Sequence, residues 1–467
     1  MKIQFWGAAR TVTGSKHMLY LPSGKKMLLD CGMFQGVGKD TDPLNREFPF
    51  DAASISYLIL SHAHIDHSGS IPTLVKRGFR GQIFCTPATR DLCEVMLADS
   101  AHIQENDARF MNKKRGSLNL KKIQPLYSTV DVSRALHLFQ TIPYDTVMEI
   151  EKGVRFHYTD SGHILGSAAV NLEVEEKGKT HRIFFSGDIG RYHDRILRAP
   201  QNFLQAEYII TESTYGNRLH EKSVNAEERL VNIVKRTLLE KKGKLIIPAF
   251  SLGRTQELVY TLDSLQTRKV LPPLKVYVDS PLSTSATDIM RRHRESYNAE
   301  ILEYIKTDPD PFNFPGLRYV KDAEESKSLN SSGEPCIIIS ASGMAESGRI
   351  KHHIRNNIGN AKNTILIVGY CSPQSLGGKL SAGDKKVNIF GEPFDVRAEV
   401  EVLSSYSAHA DYEEMLRYFS CQDKKAVKRI FLVHGEYPVQ LEWREKLLAS
   451  GFSNIDIPEP GSTFNTE

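Results

Sequence analysis

Apolar and polar positions alternate along this chain in three successive rhythms. From Met1 to Ser213, short apolar runs recur between glycine-bearing loops: IQFWG, HMLYL, KMLLDCG, YLILSHAH, QIFCTP, VRFHYTDSGH, AAVNLEV, HRIFFSGD and YIITES. Brief runs of branched and aromatic residues bounded by turn formers predict strands of a mostly β, layered domain, with helices near Pro72 to Lys76 and Thr89 to Asp107. Between about Asn225 and Phe390 the period lengthens. A helix through NAEERLVNIVKRTLLEKK, a strand KLIIPAF, a helix from RTQELVYTLDSL, a strand KVYVDS, helix-like residues to Tyr304, and strands CIIISAS and TILIVGY predict a parallel α/β module. Beyond Glu392 the chain returns to strand-like FDVRAEVEVL, a helix DYEEMLRYF and a strand KRIFLVHG. A middle module with its own βα rhythm, between flanks rich in loop histidines, reads as an insertion into one discontinuous domain, with segments 1–212, 213–391 and 392–467.

Composition narrows the class. At 467 residues, 40% hydrophobic and 25% charged, the chain is of ordinary globular make-up and long enough for two or three domains. A net charge of +4 tolerates an anionic ligand without announcing a nucleic-acid binder. The cysteines Cys31, Cys85, Cys93, Cys336, Cys371 and Cys421 include no CxxC pair, which argues against a disulfide framework or a zinc ribbon and points to a reducing compartment. The N-terminal segment lacks the apolar core of a secretion signal, and no run approaches the roughly 18 apolar residues that span a bilayer. A cytoplasmic protein without membrane association is expected.

The densest chemistry is SHAHIDHSG, Ser61 to Gly69, directly behind the apolar run ISYLIL. In an extended segment His62 and His64 leave the same face and can grip one ion, while Asp66 and His67 on the following turn can reach a second. Imidazole nitrogen with carboxylate oxygen suits Zn²⁺, and Mn²⁺ or Fe²⁺ as oxygen ligands increase. One zinc takes about four ligands, so a cluster this dense points to two ions. Further candidates end other strands: His163 between glycines in TDSGHILGS, Asp188 in IFFSGDIG and His434 in IFLVHGE. Taken singly, His163 and His434 read equally well as ligands or as satisfied structural histidines, and Asp188 as a bridging carboxylate or a turn aspartate. Their shared placement at strand ends favours ligation.

HAHIDH, the GH of SGHILGS and the GD of FFSGDIG resemble the motifs of the metallo-β-lactamase superfamily, and TESTYG, SAHAD and VHGE resemble motifs A, B and C of its β-CASP nucleases. The resemblance covers essentially the whole chain. It implies an α/β protein: an αββα sandwich with a binuclear site on loops at one sheet edge, and an inserted parallel α/β β-CASP domain. It further implies two Zn²⁺ ions, one bound by His62, His64, His163 and Asp188, the other by Asp66, His67, Asp188 and His434. Asp30, ending KMLLDCG, matches the family's first-motif aspartate and would orient ligand rings from outside the ligand set. Glu212 of motif A would fix the direction and tautomer of His409 in motif B.

The implied reaction is hydrolysis of phosphodiester bonds in single-stranded RNA, in processing or decay, by a hydroxide generated between two zinc ions, leaving a 3′-hydroxyl and a 5′-phosphate. Asp66 is the candidate proton acceptor. His409 is the candidate general acid for the leaving 3′-oxygen, since a histidine outside the ligand set can deliver a proton near neutral pH. Phosphate contacts are expected from the middle module, where PAFSLGRTQE offers Arg254 and ISASGMAESGRIKHH offers Arg349, His352 and His353 around helix starts. Arg254 reads also as a bracing ion pair. The basic run NKKRGSLNLKK, Asn112 to Lys122, reads first as a solvated loop and second as a contact for nucleic-acid backbone. GYCSPQSLGGKL departs from the family pattern by placing Lys379 at the usual arginine, and lysine lacks the guanidinium fork.

Two other enzyme readings use the same centre: a DNA nuclease, and a hydrolase of thioesters or β-lactams. The histidine at motif C resembles that of RNA-processing members and argues against the first; the large middle module and SAHAD argue against the second. A metal-free scaffold is disfavoured because every ligand position is filled. Endonucleolytic and 5′-exonucleolytic cutting, and a monomer or a homodimer, are left open by the sequence.

Overall fold

The computed structural model describes residues 1–36, 38–116, 120–220, 223–369, 371–403 and 407–466. They form two compact units, Met1–Leu219 with His409–Glu467, and His220–Ala408.

In the first unit two seven-stranded sheets face each other. One runs in the order Thr463–Asn465, Lys2–Gly7, Lys16–Tyr20, Lys26–Leu29, Tyr57–Ile59, Gln82–Cys85, Phe139–Thr141, antiparallel up to Lys26–Leu29 and parallel beyond it. The other runs Ile455–Asp456, Arg429–Leu432, Tyr208–Thr211, Lys179–Phe185, Ala168–Glu176, Val154–Asp160, Met148–Glu151, parallel in its first four strands and antiparallel after them. All nine apolar runs of the N-terminal region form strands.

Successive side chains of a strand leave opposite faces, so HRIFF sends Ile183 and Phe185 between the sheets and Phe184 outward. Ile183 and Phe185 share one core with Phe5, Leu29, Ile59 and Phe84 of the facing sheet. Phe184 packs with Ile209 and Ile430 against Met415 and Phe419 of the helix Tyr412–Phe419 and Trp443 of the helix Tyr437–Ala449. Each such side chain removed from water contributes about 1.5–3 kcal/mol, and the two cores together hold the strand ends in register. The helix Thr129–Leu136 packs on both Ile71–Lys76 and Pro87–Gly116. The long helix exceeds its expected span because ENDARFMNKKRG contains no proline, and no glycine before Gly116, to stop it. Strands Phe139–Thr141 and Met148–Glu151 gave no advance signal, being short and only half-buried.

The second unit is built on an all-parallel sheet in the order Leu317–Tyr319, Val276–Val278, Ile337–Ser340, Leu245–Pro248, Thr364–Val368, Glu399–Leu403. Its central strands LIIP and IIIS are buried throughout, as expected where helices cover both faces. Ile246, Ile338, Ile365 and Ile367 pack against Ile350 and Ile354 of the helix Arg349–Asn357.

The return to the first unit comes later than the sequence suggests. Glu399–Leu403 pairs with Thr364–Val368 as the edge of the parallel sheet, and Glu392–Asp395 forms a hairpin with Lys386–Ile389. Residues 392–408 therefore belong to the second unit and 213–219 to the first. A one-sided strand such as FDVRAEVEVL carries the same alternation in either sheet, so its pattern does not say which one it joins. Among the described residues no helix is long and apolar enough to cross a membrane.

Candidate metal centre

The strand Tyr57–Ile59 ends in SHAH, and the short helix Ile65–Ser68 turns Asp66 and His67 back toward the two histidines. Asp30 sits past the end of the neighbouring strand with a left-handed backbone, φ 59°. Non-glycine residues rarely adopt this conformation, and such strain concentrates at functional sites. Asp30 is fully buried. Its carboxylate accepts from the Ser61 amide at 2.8 Å and hydroxyl at 2.9 Å, the Ser15 hydroxyl at 3.2 Å and His67 Nδ1 at 2.6 Å. With its proton given to Asp30, Ser61 Oγ accepts from His62 Nδ1 at 3.0 Å. Both rings are thus held by Nδ1 and turn Nε2 toward the site.

Three distant loops complete the cluster. Gly190 in the IFFSGDIG loop approaches SGHILGS so closely that a Cβ there would lie 1.8 Å from the Gly162 carbonyl oxygen. This brings Asp188 against His163. His62 Nε2 and His163 Nε2 each lie 3.2 Å from His64 Nδ1, and 3.5 and 3.4 Å from Asp188 Oδ2. On the other side of the same carboxylate, Asp188 Oδ1 lies 3.3 Å from His67 Nε2 and 3.5 Å from His434 Nδ1, while His434 Nε2 lies 3.4 Å from Asp66 Oδ2. His434 also has a left-handed backbone, φ 48°, pinned where its amide donates to the Ala8 carbonyl at 2.7 Å.

The donor atoms of His62, His64, His163 and Asp188 all lie within 4.8 Å of one another, as do those of Asp66, His67 and His434. His67 Nε2 and Asp188 Oδ1 are buried with no hydrogen-bond partner among the described residues. Burial holds His62 and His163 well below the ordinary histidine pKa, which leaves neutral rings, the ligating form. Burial pushes Asp188 up, but His434, His67 and His62 outweigh it and keep the carboxylate ionised. Around His67 burial is likewise outweighed, by Asp188 and Asp30, which draw its pKa well above the usual value and mark a point of concentrated negative potential. The neutral imidazoles of His62 and His163, the negative potential at His67, the ionised Asp188 and the orphaned buried atoms together fit divalent cations.

His409 stands beside this cluster. Its backbone bridges to Gly190, and its ring lies 4.5 Å from that of His163. Its Nδ1 lies 3.1 and 3.2 Å from the two oxygens of Glu212, a fully buried carboxylate that also accepts the amides of Ile189 and Thr214. Burial works against the charged ring, but Glu212 and then Asp188 and Asp66 raise its pKa to about 9. Asp66, by contrast, is held down to about 2: burial opposes ionisation, and the bond from His434 and the nearby His67 overcome it.

A match to the Metallo-beta-lactamase superfamily covers residues 12–233, one to the Beta-Casp domain 255–380, and one to the Zn-dependent metallo-hydrolase RNA specificity domain 393–458. Ribonuclease TTHA0252 of Thermus thermophilus is 33% identical over 451 residues, 97% of this chain and 95% of that one. This chain belongs to the β-CASP branch of the metallo-β-lactamase superfamily. Two other relatives are longer. Transcription termination factor FttA of Methanosarcina mazei is 28% identical over 93% of this chain and 67% of its own, and cleavage and polyadenylation specificity factor 73 of Drosophila melanogaster 29% over 93% and 60%. A protein of unknown function from Enterococcus faecalis V583, 12% identical, superposes over 99% of both chains with a TM-score of 0.53, a likeness of fold.

The middle-module residues fare differently. His353 is fully buried, with Nδ1 bonded to Asn330 at 2.9 Å and Nε2 to Asp279 at 2.7 Å, so it has no atom to offer a phosphate. Arg349 donates to Asp279 at 2.6 Å and to the carbonyls of Val320 and Lys321, which makes it a brace and not an exposed anion clamp. Arg254 is buried and paired with Glu257, the bracing alternative. His352 alone of the four is exposed. Lys379 is exposed on the helix Leu376–Ser381. Of the basic run, Asn112 is engaged at both side-chain ends with the Ile123 backbone, and residues 117–119 lie outside the described residues. Two contributors went unnoticed in the sequence although each sits within a quoted motif. Ser61 links Asp30 to His62, and the Thr214 hydroxyl lies 3.0 Å from His434 Nδ1.

Proposed function

We propose that this chain is a metal-dependent ribonuclease that hydrolyses single-stranded RNA to 3′-hydroxyl and 5′-phosphate products, with two divalent cations, Zn²⁺ by preference, at this centre. The observation that carries the reading is the division of ligands about Asp188: His62 and His163 converge on Oδ2, with His64 in the same group of donors, and His67 and His434 converge on Oδ1. One cation would be held by His62, His64, His163 and Asp188, the other by Asp66, His67, Asp188 and His434. When bound, a pair of such ions lowers the pKa of a water toward neutrality and stabilises charge on the phosphoryl oxygens. The Thermus relative named a ribonuclease, matched along nearly its whole length, supports RNA as substrate.

The chain's own residues supply the remaining chemistry. Asp30 holds His67, and through Ser61 also His62, in the tautomer that directs Nε2 inward. Asp66, ionised at neutral pH and one-fifth exposed, is placed to take the proton of the attacking water. Glu212 holds His409 by Nδ1, so that Nε2 carries the proton available to the departing 3′-oxygen. Cleavage of matched RNA and DNA strands with added Zn²⁺ or Mn²⁺ tests the assignment. RNA is cut faster; DNA cut equally fast or faster overturns it, as does a chain binding far less than one ion.

A further inference from the structure

The hairpin of Lys386–Ile389 and Glu392–Asp395 turns through two residues, Phe390 and Gly391, both with left-handed backbone at φ 54° and 84°. Two-residue hairpin turns of this kind favour Asn-Gly, because only glycine and small polar residues enter that region readily. Phe390 is the sole phenylalanine with positive φ among the described residues, and its side chain is 48% exposed. A bulky apolar ring on a strained turn, half in water, works against stability on two counts, and outliers of that sort point to function.

What surrounds the ring gives it a partner class. The exposed His352 lies 4.6 Å away between ring centroids, inclined at 37°, and Lys351 Nζ lies 5.2 Å from the Phe390 centroid. Both project from the helix Arg349–Asn357, whose other face is anchored by buried Ile350, His353 and Ile354 and by the Arg349–Asp279 pair. Arg355 of the same helix binds Glu392 of the hairpin at 2.6 Å and lies 5.7 Å over Phe394, so hairpin and helix are tied together. Partial burial, with His353, Arg355 and Lys351 nearby, lowers the His352 pKa and favours the neutral ring. Two aromatic faces beside a cluster of cations are the elements with which proteins hold single-stranded nucleic acid: rings stack on bases, cations meet phosphates.

We propose that Phe390 and His352 form a stacking platform for an unpaired base of the RNA substrate, with Lys351 facing the adjoining phosphate. The inference rests on the ribonuclease reading and specifies where that enzyme grips its strand outside the metal centre. Recognition by stacking is tolerant of base identity.

The test uses the full chain with its metals. Phe390→Asn places a turn-favoured residue at the strained position, Phe390→Trp keeps a stacking face, and His352→Ala removes the second ring. Anisotropy of a labelled, cleavage-resistant phosphorothioate 12-mer reports binding, calorimetry reports Tm, and cleavage of the ordinary RNA gives kcat and KM. Phe390→Asn and His352→Ala are expected to weaken binding about 5- to 150-fold and raise KM in parallel. Tm of Phe390→Asn stays level or rises. Phe390→Trp binds like wild type, and its indole emission is quenched by the bound strand. Unchanged binding and KM in an otherwise RNA-cutting enzyme overturn the platform alone. So does a lower Tm for Phe390→Asn, which makes the ring a packing residue, or sedimentation showing that it acts only through self-association. A wild type that neither binds nor cuts RNA overturns the ribonuclease reading and the platform with it.

Discussion

Asp188 and Asp279 are both carboxylates buried beside histidines just past the end of a strand, one in each unit. Around Asp279 every group is answered. Its oxygens accept from Arg349, His353 Nε2 and Ser326, and Asn330 takes the other nitrogen of His353. Burial pushes Asp279 up, but the bonds from His353, Ser326 and Arg349 hold it below the usual carboxylate range. Around Asp188 the ring nitrogens crowd to 3.3–3.5 Å, and His67 Nε2 and Asp188 Oδ1 are left without hydrogen bonds among the described residues. The same residue types make a brace in one place and an ion-hungry cage in the other. What separates them is unmet valence, because a buried polar atom without a partner is expensive unless a ligand supplies one.

Four substitutions can break or sharpen this contrast. Asp188→Ala removes the carboxylate shared by both ligand groups, and RNA cleavage is expected to fall on the order of 10³-fold or more with loss of bound metal by elemental analysis. Because His434, His67 and His62 hold Asp188 below the ordinary carboxylate range, its charge contributes to the stability of the metal-free chain, and Tm without metal falls, but by less than for Asp279→Ala; an equal or larger fall would make Asp188 a brace like Asp279. His409→Ala retains metal and slows turnover by about 10²–10⁴-fold. The wild-type rate requires the protonated ring, so it declines as pH rises through the His409 pKa. Bound cations oppose the pull of Glu212, which sets that decline at or below about pH 9, and it disappears from the variant's profile. A variant that keeps full rate refutes the acid role. Asp30→Asn leaves shape intact but weakens the hold on His67, which lowers activity or metal affinity about 10- to 100-fold, readable by competition with a chelator. Asp279→Ala has the smallest effect on chemistry: turnover per folded molecule stays near wild type while denaturant unfolding shows a loss of about 3–5 kcal/mol, chiefly from the fully buried His353 left without its Nε2 partner, with half-buried Arg349 keeping only its carbonyl contacts. Reduced turnover at unchanged stability would reverse its assignment.

HAHIDH was legible because four donor residues fall within six positions behind a buried strand, and local geometry alone aims them together. Ser61, immediately before it, was passed over because a serine in a strand-end turn has many uses and only its contacts with Asp30 and His62 select one. Arg349 and His353 were misread for the converse reason. A glycine-rich loop opening a helix looks alike whether its cations face solvent or the protein interior, and here Asp279, seventy residues earlier, turns them inward. The late boundary at Ala408 has the same origin, a strand whose alternation suits two sheets.

By itself the sequence determined the strands through their period-two burial, the inserted βα rhythm, and the first arm of the cage, all of which depend on neighbours within a few residues. Only the tertiary structure decided that His163, Asp188, His409 and His434 meet there, since their approach depends on sheet order and on loops pressed together as closely as Gly190 and Gly162. It also decided which buried donors stay unanswered. Hydrogen-bond satisfaction is a property of the partners that folding delivers from far along the chain, and no local pattern records it.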